Sequence, residues 1–171
     1  GFGVINEGLH YRASRDWGEL TGYSREALEE INVRGIEFYR DFVREYVTAE
    51  TPMIVGGVIG PRGDAYNTGR QPDAAEAEDY HSEQIQTFKK AGAELVTAMT
   101  FSSVDEAIGL ARAAKSVAMP VVVSFFVARG GRLKGGESLE EAITRVDAVT
   151  GAAPAYYMIN CTHPTEFEPG L

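Results

Sequence analysis

The chain has few of the side chains that bind metals or form disulfide cross-links. It has one cysteine, Cys161, and three histidines among 171 residues. A single cysteine excludes an internal disulfide framework and is typical of a reducing compartment. No apolar run approaches the roughly 18 residues needed to span a bilayer, and no signal peptide opens the sequence. These absences predict a soluble, cytoplasmic protein without a membrane partner.

Positive charge is also scarce. Lysine and arginine together number 16 against 25 aspartates and glutamates, which gives a formal net charge of −9. We therefore expect no nucleic-acid partner, because binding nucleic acid normally needs a basic patch. The sequence is 44% hydrophobic and 24% charged, an ordinary globular composition. It contains no internal repeat, low-complexity segment or linker, so residues 1–171 are expected to form a single domain.

Short apolar runs alternate with longer amphipathic stretches. The runs are rich in β-branched residues and predict strands at 2–6, 52–59, 94–99, 120–127 and 156–161. The stretches between them predict helices at 24–46, 73–91, 103–116 and 138–148, with serine N-caps on three of the four. Because the strands are continuously apolar, they predict a parallel sheet covered by helices. Two architectures fit this pattern, an open doubly wound sheet and a (β/α) barrel.

Two of these helices show an apolar face at helical spacing. In the first predicted helix the shared face comprises Leu28, Ile31, Gly35 and Phe38. In the second it comprises Ala77, His81, Ile85 and Phe88. We interpret His81 as a packing residue of its helix, since it shares a face with large apolar side chains.

In either architecture, reactive groups collect at the carboxyl ends of the strands. Cys161 lies at such an end, where a nucleophile, a metal ligand and simple packing all remain open, and packing is the default. His163 is close in sequence, but residues two apart at a strand end need not face each other. His10 follows the first strand, where a turn or surface position is the default and a role in the site stays open.

Glycines cluster around the second predicted strand. Gly56-Gly57 and the spacing of Gly60 and Gly63 suggest a phosphate loop, but they match neither a P-loop nor a dinucleotide fingerprint. Tight turns and close backbone approach explain them equally well. All four lysines lie outside the predicted strands, which disfavours a Schiff-base lysine in a barrel.

Several phrases of the sequence together resemble a known family. They are YRASRDWGELTGYS, GGVIGPRGDAY, YHSEQIQTFKKAGAE, MPVVVSFFV, GRLKGGESLEEAI and YYMINCTHP. In this order they resemble the homocysteine S-methyltransferase family, which includes betaine-, S-methylmethionine- and cobalamin/folate-linked enzymes. The resemblance implies an α/β fold, a (β/α)8 TIM barrel of which this chain covers roughly strands 2 to 6. Five strands alone would leave two unpaired edges, so we expect the isolated piece not to be a stable monomer.

The resemblance also implies a function. The expected enzyme is a zinc-dependent methyltransferase of methionine biosynthesis that moves a methyl group from S-methylmethionine, betaine or a similar donor to the thiol of homocysteine or a related thiol. The zinc ligand in this chain would be Cys161, with two further cysteine ligands expected outside it and no catalytic residue beyond the metal site. The implied substrate-binding residues are Asn160, Thr100, Ser124, Gly60 and Glu7. Small-molecule thiol and methyl donor are the implied partners, and homo-oligomerisation stays open.

The sequence departs from the family pattern at two places. Many members have Glu-Thr where this chain has Met99-Thr100, and Asn-Thr where it has Leu9-His10. Both changes remove polar contacts from the amino-acid pocket, and Glu7 is a candidate replacement. Two alternative hypotheses follow, namely a non-catalytic, degenerate family member or fragment, and an unrelated TIM-barrel lyase or aldolase.

Overall fold

The computed structural model describes residues 2–66, 69–128 and 130–171. Its centre is a sheet of parallel strands, namely β1 (Val4–Glu7), β2 (Met53–Ile59), β3 (Leu95–Phe101), β4 (Val121–Phe125) and β5 (Pro154–Ile159). The strands lie in the order β1-β2-β3-β4-β5, so each is paired with its neighbour in the chain. A doubly wound sheet would instead reverse its order at a switch point. The fold is α/β and forms a five-stranded portion of a TIM barrel, as predicted.

Helices connect the strands and cover one face of the sheet. They are α1 (Arg15–Leu20), α2 (Arg25–Tyr46), α3 (Ala74–Ala91), α4 (Val104–Ser116), α5 (Leu139–Thr150) and α6 (Pro164–Phe167), followed by a 3-10 turn at Glu168–Gly170. The predicted caps are confirmed: Ser24, Ser103 and Ser138 each accept a hydrogen bond from the first turn, and Gly92 ends α3 in the left-handed conformation. The sequence did not predict α1 or α6, because six and four residues are too few to show a helical period.

Strand boundaries differ from the predicted ones by about two residues. The strand β4 ends at Phe125 rather than at Val127, although Val127 is itself buried. The strand β5 begins at Pro154 and ends at Ile159, so Asn160 and Cys161 follow the strand instead of ending it. Apolar runs continue past the strand ends because the adjoining loops also pack on the core.

The face predicted for α2 is correct at Leu28 but wrong at Ile31 and Phe38. The structure buries Leu28, Asn32 and Ile36, whereas Ile31 and Phe38 are 40% and 67% exposed. The difference arises because the Asn32 amide donates hydrogen bonds to two backbone carbonyl oxygens, at 2.8 and 2.9 Å. A polar residue that satisfies its donors can occupy a core-facing position, and hydrophobicity alone does not reveal it. The corresponding face of α3 is buried as predicted.

Glycines allow close approach rather than forming a phosphate loop. A Cβ at Gly57 would lie 2.8 Å from Cγ of Phe88, so α3 rests directly on β2 at this point. A Cβ at Gly60 would lie 2.6 Å from the carbonyl oxygen of Tyr11. These distances support the packing interpretation of the glycines around β2.

His10 is neither at the surface nor in the site, which corrects both sequence-based interpretations. It is 2% exposed and packs edge-on against Phe88, with a ring-centroid distance of 4.9 Å. Space for the ring exists only because its neighbours Gly8 and Gly35 lack a Cβ, which would overlap it. Leu9, next to it, is 93% exposed.

Within the described residues, no helix is long and apolar enough to cross a membrane.

Burial of His10 predicts a loss of stability in acid. Desolvation lowers the pKa of His10 from 6.5 to about 4. Between these values the unfolded chain binds a proton that the folded protein excludes, so stability falls as the pH decreases from 6.5 towards 4, by up to about 3 kcal/mol. Denaturant unfolding of the complete protein at a series of pH values measures this slope. We expect His10→Leu to flatten the slope of stability against pH. His163→Gln, which changes an exposed histidine, should keep the wild-type slope. An unaltered slope in His10→Leu would contradict the attribution of this pH dependence to His10.

Candidate active site

The side chain of Asn160 connects the carboxyl ends of three adjacent strands. Its Oδ1 accepts hydrogen bonds from the backbone N–H of Thr100 at 3.0 Å and from the hydroxyl of Ser124 at 2.8 Å. Its Nδ2 donates to Oγ1 of Thr100 at 2.8 Å and lies 3.2 Å from the sulfur of Cys161. Four of the six predicted site residues therefore meet at one edge of the sheet. They can do so because the carboxyl ends of parallel strands share an edge.

Backbone conformation at this cluster is unusual. Thr100 and Cys161 both have positive φ angles, of 67° and 55°, which non-glycine residues adopt rarely. The β3–β4 pairing shifts register between Ala98 and Phe101, so Thr100 lies in an irregular turn of the strand. Such strain persists only where the surroundings impose it, and it concentrates at functional sites. Here the bonds from Asn160 hold Thr100 in this conformation.

The cysteine sulfur has a second neighbour that the sequence analysis missed. Cys161 is exposed. Interaction with the Cys161 side chain, together with burial, raises the pKa of Tyr66 to about 12. Tyr66 ends the phrase GPRGDAY, which carried part of the family resemblance, but nothing in its spacing indicated an interaction with the thiol.

The loop that carries Tyr66 is tied to the core by a buried pair of hydrogen-bonded side chains. The backbone N–H of Arg62 donates to Oε1 of Glu106 at 2.6 Å, and Nε2 of His81 lies 3.1 Å from the same oxygen. Both His81 and Glu106 are buried. The packing role predicted for His81 is confirmed, but the pair also anchors the loop after β2.

The remaining predicted residues lie at different places. Glu7 accepts a hydrogen bond from the Thr97 hydroxyl across the sheet. Gly60 is buried beneath Tyr11, whose carbonyl oxygen accepts its N–H at 3.0 Å, so it supports the loop. His163 caps α6, with its Nδ1 2.9 Å from the hydroxyl of Thr165, and is not paired with the thiol as a base would be.

The described residues supply only part of a metal site. None of them form a group of three or more histidine, cysteine, aspartate or glutamate side chains able to hold a metal ion. Cys161 is an exposed thiol at a strand end, which suits one ligand of a zinc ion. A zinc ion at this position would therefore need ligands from outside the described chain.

Comparison with known proteins decides the family. The profile of the homocysteine S-methyltransferase family matches residues 6–171. The chain belongs to this family. The match includes the Asn160-Cys161 pair and the loop that carries Tyr66, so the cluster described above lies within the family domain.

Solved structures agree on the fold. The homocysteine methyltransferase MmuM from Escherichia coli superposes in its metallated form with a TM-score of 0.81 at 18% identity, over 95% of this chain and 59% of that chain. Its oxidized form gives 0.82 at 17% identity, over 95% and 58%. The chain thus spans less than two thirds of MmuM. No curated protein sequence matches it.

Proposed function

We propose that the complete protein is a zinc-dependent methyltransferase, which moves a methyl group from an activated donor such as S-methylmethionine or betaine to the thiol of homocysteine or a related thiol. The observation that carries this proposal is the cluster of Asn160, Thr100, Ser124 and Cys161 at the carboxyl ends of the strands. An exposed thiol held by a hydrogen-bonded amide, in a chain of this family, suits a metal ligand better than a packing residue.

Cys161 would provide one zinc ligand, and two cysteines outside this chain would complete the set. When bound, the metal would activate the substrate thiol as a thiolate and orient it. In the overall reaction a sulfur lone pair of the substrate forms the bond to the methyl carbon. The bond between that carbon and the donor's sulfonium sulfur or ammonium nitrogen breaks, and its electron pair stays on the donor atom. The thiol proton leaves to solvent.

The residues of this chain would shape and hold the site. Asn160 fixes the position of Cys161 through its Nδ2 and keeps the strained Thr100 turn in place through its Oδ1. Ser124 is buried, and its hydroxyl donates the second hydrogen bond that Oδ1 of Asn160 accepts. This network satisfies the polar atoms of the Asn160 side chain internally.

Glu7 would recognise a cationic group on the substrate. It is the one charged residue in the five strands. Glu7 pairs with Gly56 in the sheet, and its side chain lies over Gly56 and reaches Thr97 on β3. The carboxylate therefore lies beside the strand that carries Met99 and Thr100. A substrate ammonium group is a suitable partner for it.

Glu7→Gln tests this role through substrate selectivity. We expect kcat/KM for an aminothiol such as homocysteine to fall by roughly 10- to 100-fold, since a charge-assisted hydrogen bond contributes about 1.5–3 kcal/mol. The rate with a neutral thiol such as 2-mercaptoethanol should change little. Glu140→Gln, on the exposed side of α5, is the matched control. An equal loss with both thiols would indicate a purely structural role.

The proposed activity is tested with the product of the complete reading frame. The protein is incubated with S-methylmethionine or betaine and homocysteine, the thioether product is detected by mass spectrometry, and zinc per chain is measured. Transfer to a thiol together with near-stoichiometric zinc supports the proposal. A folded, zinc-loaded protein that methylates no thiol would favour the non-catalytic alternative, and a zinc-free but active one would remove the metal from the mechanism.

A further inference from the structure

A cavity of about 140 Å³ opens between α2, α3 and the loop that joins β1 to α1. A volume of about 10–15 Å³ is enough for one water molecule, so the cavity can hold several waters or one small molecule. It shares no residue with the cluster around Asn160. We propose that this cavity is a second binding site, which takes a free α-amino acid by its ammonium and carboxylate groups.

The buried residues around the cavity are mostly polar, although contacts between packed helices are usually apolar. They are Ser14, Asn32, Tyr80, Gln84 and Thr87. Most of their polar atoms are bonded within the protein. The hydroxyl of Tyr80 donates to that of Ser14 at 2.9 Å, and Nδ2 of Asn32 donates to the carbonyl oxygens of Ala13 and Leu28. The polar wall is therefore preorganised by its own hydrogen bonds.

One atom of this wall is left over, the side-chain oxygen of Gln84. Its Nε2 donates to the carbonyl oxygen of His10 and to Oδ1 of Asn32, both at 3.0 Å. Its Oε1 is buried and has no hydrogen-bond partner within the described residues. Native structures rarely bury an acceptor without a donor, because its lost hydration is not replaced. Since Nε2 is already engaged, Oε1 is the atom available to a ligand, and it calls for a donor such as an ammonium group.

Two charged side chains of opposite sign lie at the same cavity. Arg25 is exposed at the start of α2, and Glu83 is half-buried on α3. Neither forms an ion pair with another described residue, whereas Lys90 and Glu29, which also line the cavity, lie 3.8 Å apart. A purely anionic ligand would be repelled by Glu83, and a purely cationic one by Arg25.

An amino acid matches this arrangement because it carries both charges and no net charge. Its carboxylate is a suitable partner for the guanidinium of Arg25, which can bind it with two parallel hydrogen bonds. Its ammonium group has three donors and can serve both Glu83 and Oε1 of Gln84. The site is built from this chain alone, and it does not depend on the proposed function.

The test begins with thermal unfolding of the complete protein. Each of the common amino acids is added separately at millimolar concentration, and we expect at least one to raise Tm, since a ligand that binds the folded state stabilises it. The one with the largest effect is titrated by calorimetry to obtain its Kd. Its methyl ester, which lacks the carboxylate charge, should bind roughly 10- to 100-fold more weakly, the effect of losing a charge-assisted hydrogen bond.

Variants at the cavity locate the bound amino acid. Arg25→Ala and Glu83→Gln should each raise its Kd by roughly 10- to 100-fold, for the same reason. Arg34→Ala, also on α2, and Glu140→Gln, on α5, lie outside the cavity and are the matched controls, with Kd expected to equal that of wild type. Cys161→Ser should also bind as wild type does, because the two sites are separate.

Two results would overturn the proposal. If no amino acid raised Tm, the cavity would hold water only. If binding were unchanged in Arg25→Ala and Glu83→Gln, the amino acid would occupy another site, such as that of the substrate. Both results would leave the proposed methyl transfer intact, since that activity is measured separately.

Discussion

Replacement of Cys161 by serine is expected to abolish zinc binding in the complete protein. Serine preserves the size of the side chain and can still contact Asn160, but its hydroxyl does not form the thiolate that zinc prefers. Zinc should fall from about one per chain to near zero. The rate of methyl transfer should fall by more than the 10- to 100-fold typical of an outer-shell change. Metal analysis and kcat with homocysteine provide the two measurements.

His163→Gln is the appropriate comparison for Cys161→Ser, because it changes another potential metal ligand in the same turn. The Nδ1 of His163 is already engaged by Thr165 at the start of α6. Zinc content should therefore remain close to wild type. If Cys161→Ser retained its zinc and its activity, the thiol would be a packing residue. If His163→Gln lost the zinc, the ligand set proposed for the site would be wrong.

Glu106→Ala should have the largest effect on stability, a loss of about 3–5 kcal/mol in the free energy of unfolding. The carboxylate is buried and accepts from both His81 and the backbone of Arg62. Its removal leaves the buried Nε2 of His81 and the part-buried N–H of Arg62 without their acceptor, and it detaches the loop after β2. Denaturant unfolding of the complete protein measures the loss. Glu140→Ala, an exposed carboxylate near the start of α5, should change stability by less than about 0.5 kcal/mol.

A double variant separates stability from the anchoring of the loop. In His81→Leu/Glu106→Leu the buried polar pair is replaced by apolar side chains, which often restores stability. Arg62 would still lack its acceptor, so the loop after β2 should be cleaved faster than in wild type by limited proteolysis, although the protein is folded. A double variant whose loop resists proteolysis as wild type does would show that the loop does not need this anchor. A Glu106→Ala protein as stable as Glu140→Ala would contradict the buried-pair argument itself.

Local signals predicted the elements of this fold well. Helix ends depend on neighbours within four residues, so they can be predicted from the sequence. This applies to the serine caps, the capping box at Ser138 and the left-handed Gly92. Continuous apolar strands alternating with amphipathic helices also indicated a parallel sheet. The choice between barrel and doubly wound sheet came from the family resemblance, and the sequential strand order confirmed it.

The candidate site could be predicted only in part. Asn160, Thr100, Ser124 and Cys161 lie at carboxyl ends of strands, and parallel topology brings such ends together. That argument identifies the edge but not the contacts. It did not anticipate that Gly60 supports the loop instead of lining the cluster.

The sequence by itself determined the strands, the helices and their caps, and the edge of the sheet where the thiol lies, because these follow from periodicity and short-range hydrogen bonds. Only the tertiary structure decided which side chains meet. The direction of His10 depends on the space left by Gly35, and the position of the loop after β2 depends on the bond from Arg62 to Glu106. Such contacts join residues far apart in the chain, where packing volume and compensation of buried polar groups, rather than local propensity, select the partner.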